Sequence, residues 1–164
     1  LARWRVPAAF AAAPVLASPL RRARETAASF GPFAVEPRLI EMDWGAWEGR
    51  RLDELRAADP AGMAALEARG LELEPPGGES PRQVRERLAT LLVELAGADR
   101  RMLVNHKGVI RAALSLATGW DMRTKPPLRL RDREALVLRL DAHGRPSPDV
   151  AALSLVPDDR RCAC

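Results

Sequence analysis

Three stretches of this 164-residue chain repeat one layout, and that layout restricts the folds open to it. Each has a short apolar run, a polar residue at its end, and then a segment that suits a helix or a loop. The first is Pro14-Val15-Leu16-Ala17-Ser18-Pro19-Leu20. Val15 to Ala17 reads as a buried strand, Pro19 breaks it, and the Ala/Arg-rich segment from Arg21 to Ala28 predicts a helix. The second is Arg38-Leu39-Ile40, read as a strand ending at Glu41, with a loop from Met42 to Gly49 after it. The third is Met102-Leu103-Val104-Asn105, then His106, then a helix from Lys107-Gly108 to about Thr118 with Gly119 as its stop.

Helical signals fill the space between these units. Leu52 to Ala58 is one helix. Asp59-Pro60, an N-cap followed by proline at the first helical position, starts another that ends near Gly70. Glu74-Pro75-Pro76-Gly77-Gly78 is a break. Ser80-Pro81-Arg82-Gln83 is a capping box, and Val84, Leu88, Leu91, Leu92 and Leu95 follow on one helical face. The end of the chain differs: 135–140 and 150–156 read as strands around a loop that holds His143, a hairpin or a pair of edge strands. The expected fold class is α/β: a three-layer sandwich with a mostly parallel sheet, helices on both faces, and antiparallel edge strands at the C-terminal end. Residues 1–157 are expected to form one domain and 158–164 a flexible tail.

In open α/β sheets a site forms outside the carboxyl ends of the strands. That rule selects Arg22, Glu41 and His106. Arg22 and His106 also lie near helix starts, where unpaired N–H groups and the helix dipole favour an anion. Arginine offers a planar fork that matches two phosphate oxygens, and histidine can donate to a third. Glu41 is the one of the three that can carry a proton to a leaving group. Each also has a plain structural reading: a solvated arginine, a surface glutamate, a core histidine. Their joint placement is what favours the site.

At these residues the sequence resembles the histidine phosphatase superfamily, in its phosphoglycerate-mutase-like group. Ser18-Pro19-Leu20-Arg21-Arg22-Ala23-Arg24-Glu25-Thr26-Ala27 is similar to its second signature. Leu39 to Gly49 resembles its acid-bearing loop, and Gly78-Glu79-Ser80 its Gly-Glu-Ser element. Val104-Asn105-His106-Lys107-Gly108-Val109-Ile110-Arg111-Ala112 resembles its second-histidine motif. The resemblance implies that Arg22 clamps phosphate, that Glu41 is the general acid, and that His106 is the second histidine, which holds the phosphoryl group in flight. It implies a phosphohistidine intermediate and no metal or other cofactor. Lys107 departs from the family, many of whose members have glycine there; it would point to solvent or add a cation at the rim. The family also begins with a central strand ending in Arg-His-Gly, which these 164 residues lack. The expectation is an N-terminally truncated chain, inactive as it stands, in which Leu1 to Phe10 is the tail of the helix after that strand.

The chain has a net charge of +4, yet Lys107 and Lys125 are its only lysines and its arginines are spread along it, often beside acids. That spacing suits an anionic small molecule better than nucleic acid, which favours clustered cations interleaved with aromatics. No apolar run is long enough to cross a bilayer, and Leu1 to Phe10 lacks the apolar centre of a signal peptide. Cys162 and Cys164 are too few for a structural zinc site and read as free thiols of a cytoplasmic protein. The expected partner is a small phosphorylated metabolite; a homodimer stays open, and nucleic acid and membrane are not expected. Three functions remain: a phosphomonoester hydrolase, a phosphoglycerate-type mutase, and a non-catalytic relative that uses the fold for binding. The short segment between Gly49 and Gly78 carries no substrate-capping insertion and favours the hydrolase. A serine hydrolase is excluded by the lack of a Gly-x-Ser-x-Gly elbow.

Overall fold

The computed structural model describes residues 4–157. Its centre is a parallel sheet of three strands, β2 (Val15–Ala17), β3 (Phe33–Val35) and β4 (Met102–Val104), in the order β3-β2-β4. β1 (Trp4–Arg5) precedes it. The register sets Leu16 opposite Ala34 and Leu103, and Ala17 opposite Val35 and Val104. Side chains alternate across a sheet, so β2 and β4 each feed two cores. Val15, Ala17, Met102 and Val104 pack with Ala27 of helix α1 (Arg21–Ala28). Leu16 and Leu103 point the other way, onto helices α4 (Pro81–Glu94) and α5 (Lys107–Thr118). Helices therefore cover both faces of the parallel sheet. Two short helices, α2 (Leu52–Ala58) and α3 (Pro60–Glu67), link the halves.

The capping signals act as read. The Asp59 side chain accepts from the Gly62 N–H at the start of α3. Ser80 and Gln83 form the reciprocal capping box of α4, and Gly119 ends α5 at φ 72°. Val84, Leu88, Leu91 and Leu92 of α4 are buried together with Val109, Ala112 and Ala113 of α5. Truncating a side chain such as Leu88, 2% exposed, should cost about 2–5 kcal/mol.

Three expectations are corrected. Arg38-Leu39-Ile40 is not a strand: Pro37–Leu39 is a 3-10 turn. Pro37 has no N–H for a ladder, and the Glu36 carboxylate accepts from the Arg38 N–H, which tightens the turn. The strand lies earlier, at β3, and its last rung is Glu36 N–H to the Ala17 carbonyl. Second, the described part of Leu1 to Phe10 is not a helix tail. Trp4–Arg5 pairs antiparallel with β7 (Val156–Pro157), and Ala8–Phe10 is a 3-10 turn behind Pro7. Third, the C-terminal strands are shorter than read. β5 (Glu134–Val137) pairs antiparallel with β6 (Ala151–Ser154), and this ladder is separate from the parallel sheet. The tail 158–164, with Cys162 and Cys164, lies outside the described residues.

Between β4 and β5 runs an open groove of about 890 Å³. Met102, Leu103 and Asn105 line one side and Glu134 to Arg139 the other, over a floor of Leu88, Leu92 and Val109. Among the described residues β4 pairs only with β2 and β5 only with β6, so each presents an outer edge to this groove.

Candidate active site

The carboxyl ends of β2 and β4 meet at the start of α5. Ser18 follows β2 directly, and its N–H donates to the Val104 carbonyl at 2.9 Å, which ties it to the end of β4. His106, two residues beyond Val104, is the N-cap of α5 in extended backbone, and only 8% of it is exposed. Its ring is held at both nitrogens. Nδ1 accepts from Nε of Arg22 at 3.2 Å, and Nε2 lies 2.7 Å from Oγ of the fully buried Ser18. Arg22 is exposed, in the first turn of α1, and carries two Nη groups beyond this bond.

Glu41 reaches the same place from the other core. Its Oε1 accepts from the Met42 N–H at 2.9 Å and from the Gly108 N–H, in the first turn of α5, at 3.0 Å. A carboxylate at a helix N-terminus satisfies otherwise unpaired donors and is favoured by the helix dipole. Gly108 makes this approach feasible, because a Cβ there would fall on Oε1 of Glu41. The structure thus brings the three sequence-selected residues to one turn: Arg22 on the His106 ring, Glu41 on the amide two residues after it. Lys107 between them is exposed. His143 is elsewhere, in the β5–β6 loop, its N–H donating to Asp141.

The loop that carries Glu41 is braced by the Gly-Glu-Ser element. Glu79 N–H donates to the Asp43 carbonyl at 2.8 Å, and Ala46 N–H donates to the Pro76 carbonyl at 2.9 Å. Gly45, at φ +49°, lies against Pro76 and Gly78 too closely for any side chain. Glu79 in turn receives both Nε and Nη2 of Arg87, at 2.8 and 2.9 Å, while Nη1 of Arg87 donates to the Arg38 carbonyl.

Burial, then the positive charges of Arg22 and Arg87, lower the His106 pKa from 6.5 to about 4. The ring is therefore neutral near pH 7 until a negative charge offsets those cations. The site as built sets the Arg22 guanidinium, one neutral imidazole and one helix-bound carboxylate around the first turn of α5. Among the described residues no group of three or more His, Cys, Asp or Glu side chains could hold a metal ion. None of their helices is long and apolar enough to cross a membrane.

Two residues of this site escaped the sequence reading. Ser18 meets the strand-end rule as well as His106 does, since β2 stops at Ala17, but in the sequence it stands only as one member of the second signature. Arg87 had no such signal: it reads as a solvated arginine on a helix face until α4 is packed against the sheet.

Comparison with known proteins bears on this arrangement. A family model described as histidine phosphatase superfamily (branch 1) matches residues 2–148. A 2,3-bisphosphoglycerate-dependent phosphoglycerate mutase from Methylobacterium radiotolerans is 31% identical over 116 residues, 68% of this chain and 55% of that enzyme. A glucosyl-3-phosphoglycerate phosphatase from Mycolicibacterium vanbaalenii is 34% identical over 131 residues, 70% of this chain and 57% of that enzyme. The match thus spans little more than half the length of these relatives. Among solved structures, a mycobacterial glucosyl-3-phosphoglycerate phosphatase in complex with VO3 superposes with a TM-score of 0.66 at 25% identity, over 92% of this chain and 77% of that one.

Proposed function

Because this chain belongs to the histidine phosphatase superfamily, branch 1, we propose that it serves a metal-independent phosphomonoester hydrolase acting on a small phosphorylated metabolite. The observation that carries this reading is the convergence of Arg22, His106 and Glu41 on the first turn of α5. Arg22 and His106 hold the phosphoryl oxygens, and Glu41, after taking up a proton from solvent on Oε2, gives it to the leaving oxygen. Phosphoryl transfer asks mainly for such positioning and for cations around the spreading charge. The nucleophile in this reading is a histidine on an Arg-His-Gly strand seated in the groove between β4 and β5. The P–O bond to the leaving group breaks as the N–P bond forms, and water then cleaves N–P and releases phosphate.

What supports that placement is the pair of outer strand edges facing the groove, and Asn105 on its wall. Its Oδ1 is buried without a hydrogen-bond partner, suited to a donor from an added strand. A strand there parallel to β4 would end beside His106. The related phosphatase and mutase named above leave the acceptor open; the short α2–α3 segment over 52–67, with no insertion to cap a second substrate, favours water. We place the reaction in the cytoplasm, where thiols such as Cys162 and Cys164 stay reduced.

The test is turnover of p-nitrophenyl phosphate under chelator by the chain extended with an Arg-His-Gly strand, beside residues 1–164. The extended protein should be active, and Arg22→Ala should cost it on the order of 10²-fold or more. Glu41→Gln should slow an ester with a poor leaving group by about 10²-fold or more. Robust metal-free turnover by residues 1–164 that survives His106→Ala would overturn the assignment.

A further inference from the structure

We propose that Ser18 is a positioning residue for His106: it receives the Nε2–H of the imidazole and holds the ring so that Nδ1 is the nitrogen presented to an anion beside Arg22. The reasoning begins with protons. A guanidinium carries donors only and stays charged, so its bond from Nε to Nδ1 requires Nδ1 to be the lone-pair nitrogen. A neutral imidazole has one N–H, which must then sit on Nε2. The contact 2.7 Å away is Oγ of Ser18, which therefore accepts.

Ser18 is built for that role. It is fully buried. Its backbone is pinned to the end of β4 through Val104, and its Oγ also takes the Leu20 N–H at 3.3 Å, so the hydroxyl cannot swing away from the ring without losing a second bond. The charges that act on the ring most are Arg22 from α1 and Arg87 from α4, both cations, with the Glu41 carboxylate held on the Gly108 N–H two residues on. When an anion draws Arg22 off Nδ1, that nitrogen can take up a proton and donate to the anion while Nε2–H stays on Ser18. One acceptor thus suits both the neutral ring and the imidazolium. This catalytic meaning rests on the phosphatase reading, whereas the proton positions do not.

The test is ¹⁵N NMR of the imidazole rings in the full chain. There are two histidines, and His143→Gln assigns their signals. Wild type at pH 7 should show His106 as the Nε2–H tautomer. Ser18→Ala should free the ring to turn away from Arg22 and so give a tautomer mixture, and Ser18→Thr should restore the wild-type pattern, with His143 unmoved throughout. An Nδ1–H tautomer in wild type, or an unchanged His106 pattern in folded Ser18→Ala, would overturn the proposal. If Ser18→Ala does not fold, the wild-type tautomer still decides. Inorganic phosphate should shift Nδ1 of wild type toward the protonated position. If the tautomer is as stated but phosphate shifts nothing, the phosphatase reading fails and the role of Ser18 in holding the ring stands.

Discussion

His106 should make this protein lose stability between pH 6.5 and 5, where ordinary carboxylates are still ionised. Its pKa falls from 6.5 to about 4 in the folded state, through burial and the charges of Arg22 and Arg87. In this window the unfolded chain binds a proton that the folded protein does not, so stability drops as pH drops. The contribution is intact above pH 6.5 and is lost progressively toward the folded pKa. At about 1.4 kcal/mol per pKa unit, the loss reaches about 2 kcal/mol by pH 5. Carboxylates with lowered pKa, such as Glu36 and Glu94 on Arg38, lose their contribution only at lower pH. Urea unfolding can be followed by tryptophan fluorescence at pH 7.5 and pH 5 in phosphate-free buffer, on wild type and His106→Gln. With a slope of about 2 kcal/mol/M, the wild-type midpoint should fall by about 1 M more than that of the variant. Equal shifts in the two proteins would refute the reasoning, because His106 would then titrate alike folded and unfolded.

Gly108→Ala should separate function from stability. The clash it creates is with the movable end of Glu41, and alanine favours a helix by about 1 kcal/mol over glycine. The melting temperature of the extended chain should change little, the helix propensity gained offsetting the two N–H bonds that Glu41 gives up, while its turnover falls as in Glu41→Gln; full activity would mean that Glu41 does not act from this perch. Arg87→Met should leave Glu79 half-buried without its partner, at a cost of about 2 kcal/mol in urea unfolding. It should also raise the His106 pKa read by NMR, since one of the two cations that lower it is gone.

The parts of this fold legible in the sequence are those fixed by local chemistry. α2 runs over Leu52–Ala58 as read, and α4 starts at its capping box, because caps and apolar period act within a few residues. What failed depended on distant partners or on competing turn chemistry. Trp4–Arg5 is a strand because Val156–Pro157, at the far end of the chain, pairs with it. Arg38 to Ile40 has strand-like composition, but Pro37 and the Glu36 side chain impose a turn. Glu41, which the strand-end rule selects, lies instead beyond that turn. It still reaches α5, because the turn buries Leu39 and returns the chain to the first turn of that helix. The bond between Arg22 and His106, 84 residues apart, follows from the β2–β4 register, which the repeated strand layout implied without giving the strand order.

The central claim is that Arg22 and His106 form a site for a phosphoryl group at the start of α5. Calorimetric titration of the full chain with inorganic phosphate tests it most directly. The account predicts binding at one site that Arg22→Ala weakens by about tenfold or more, the equivalent of one charge-assisted bond of about 1.4 kcal/mol or more. Phosphate that binds the Arg22→Ala and His106→Ala proteins as tightly as wild type would contradict it.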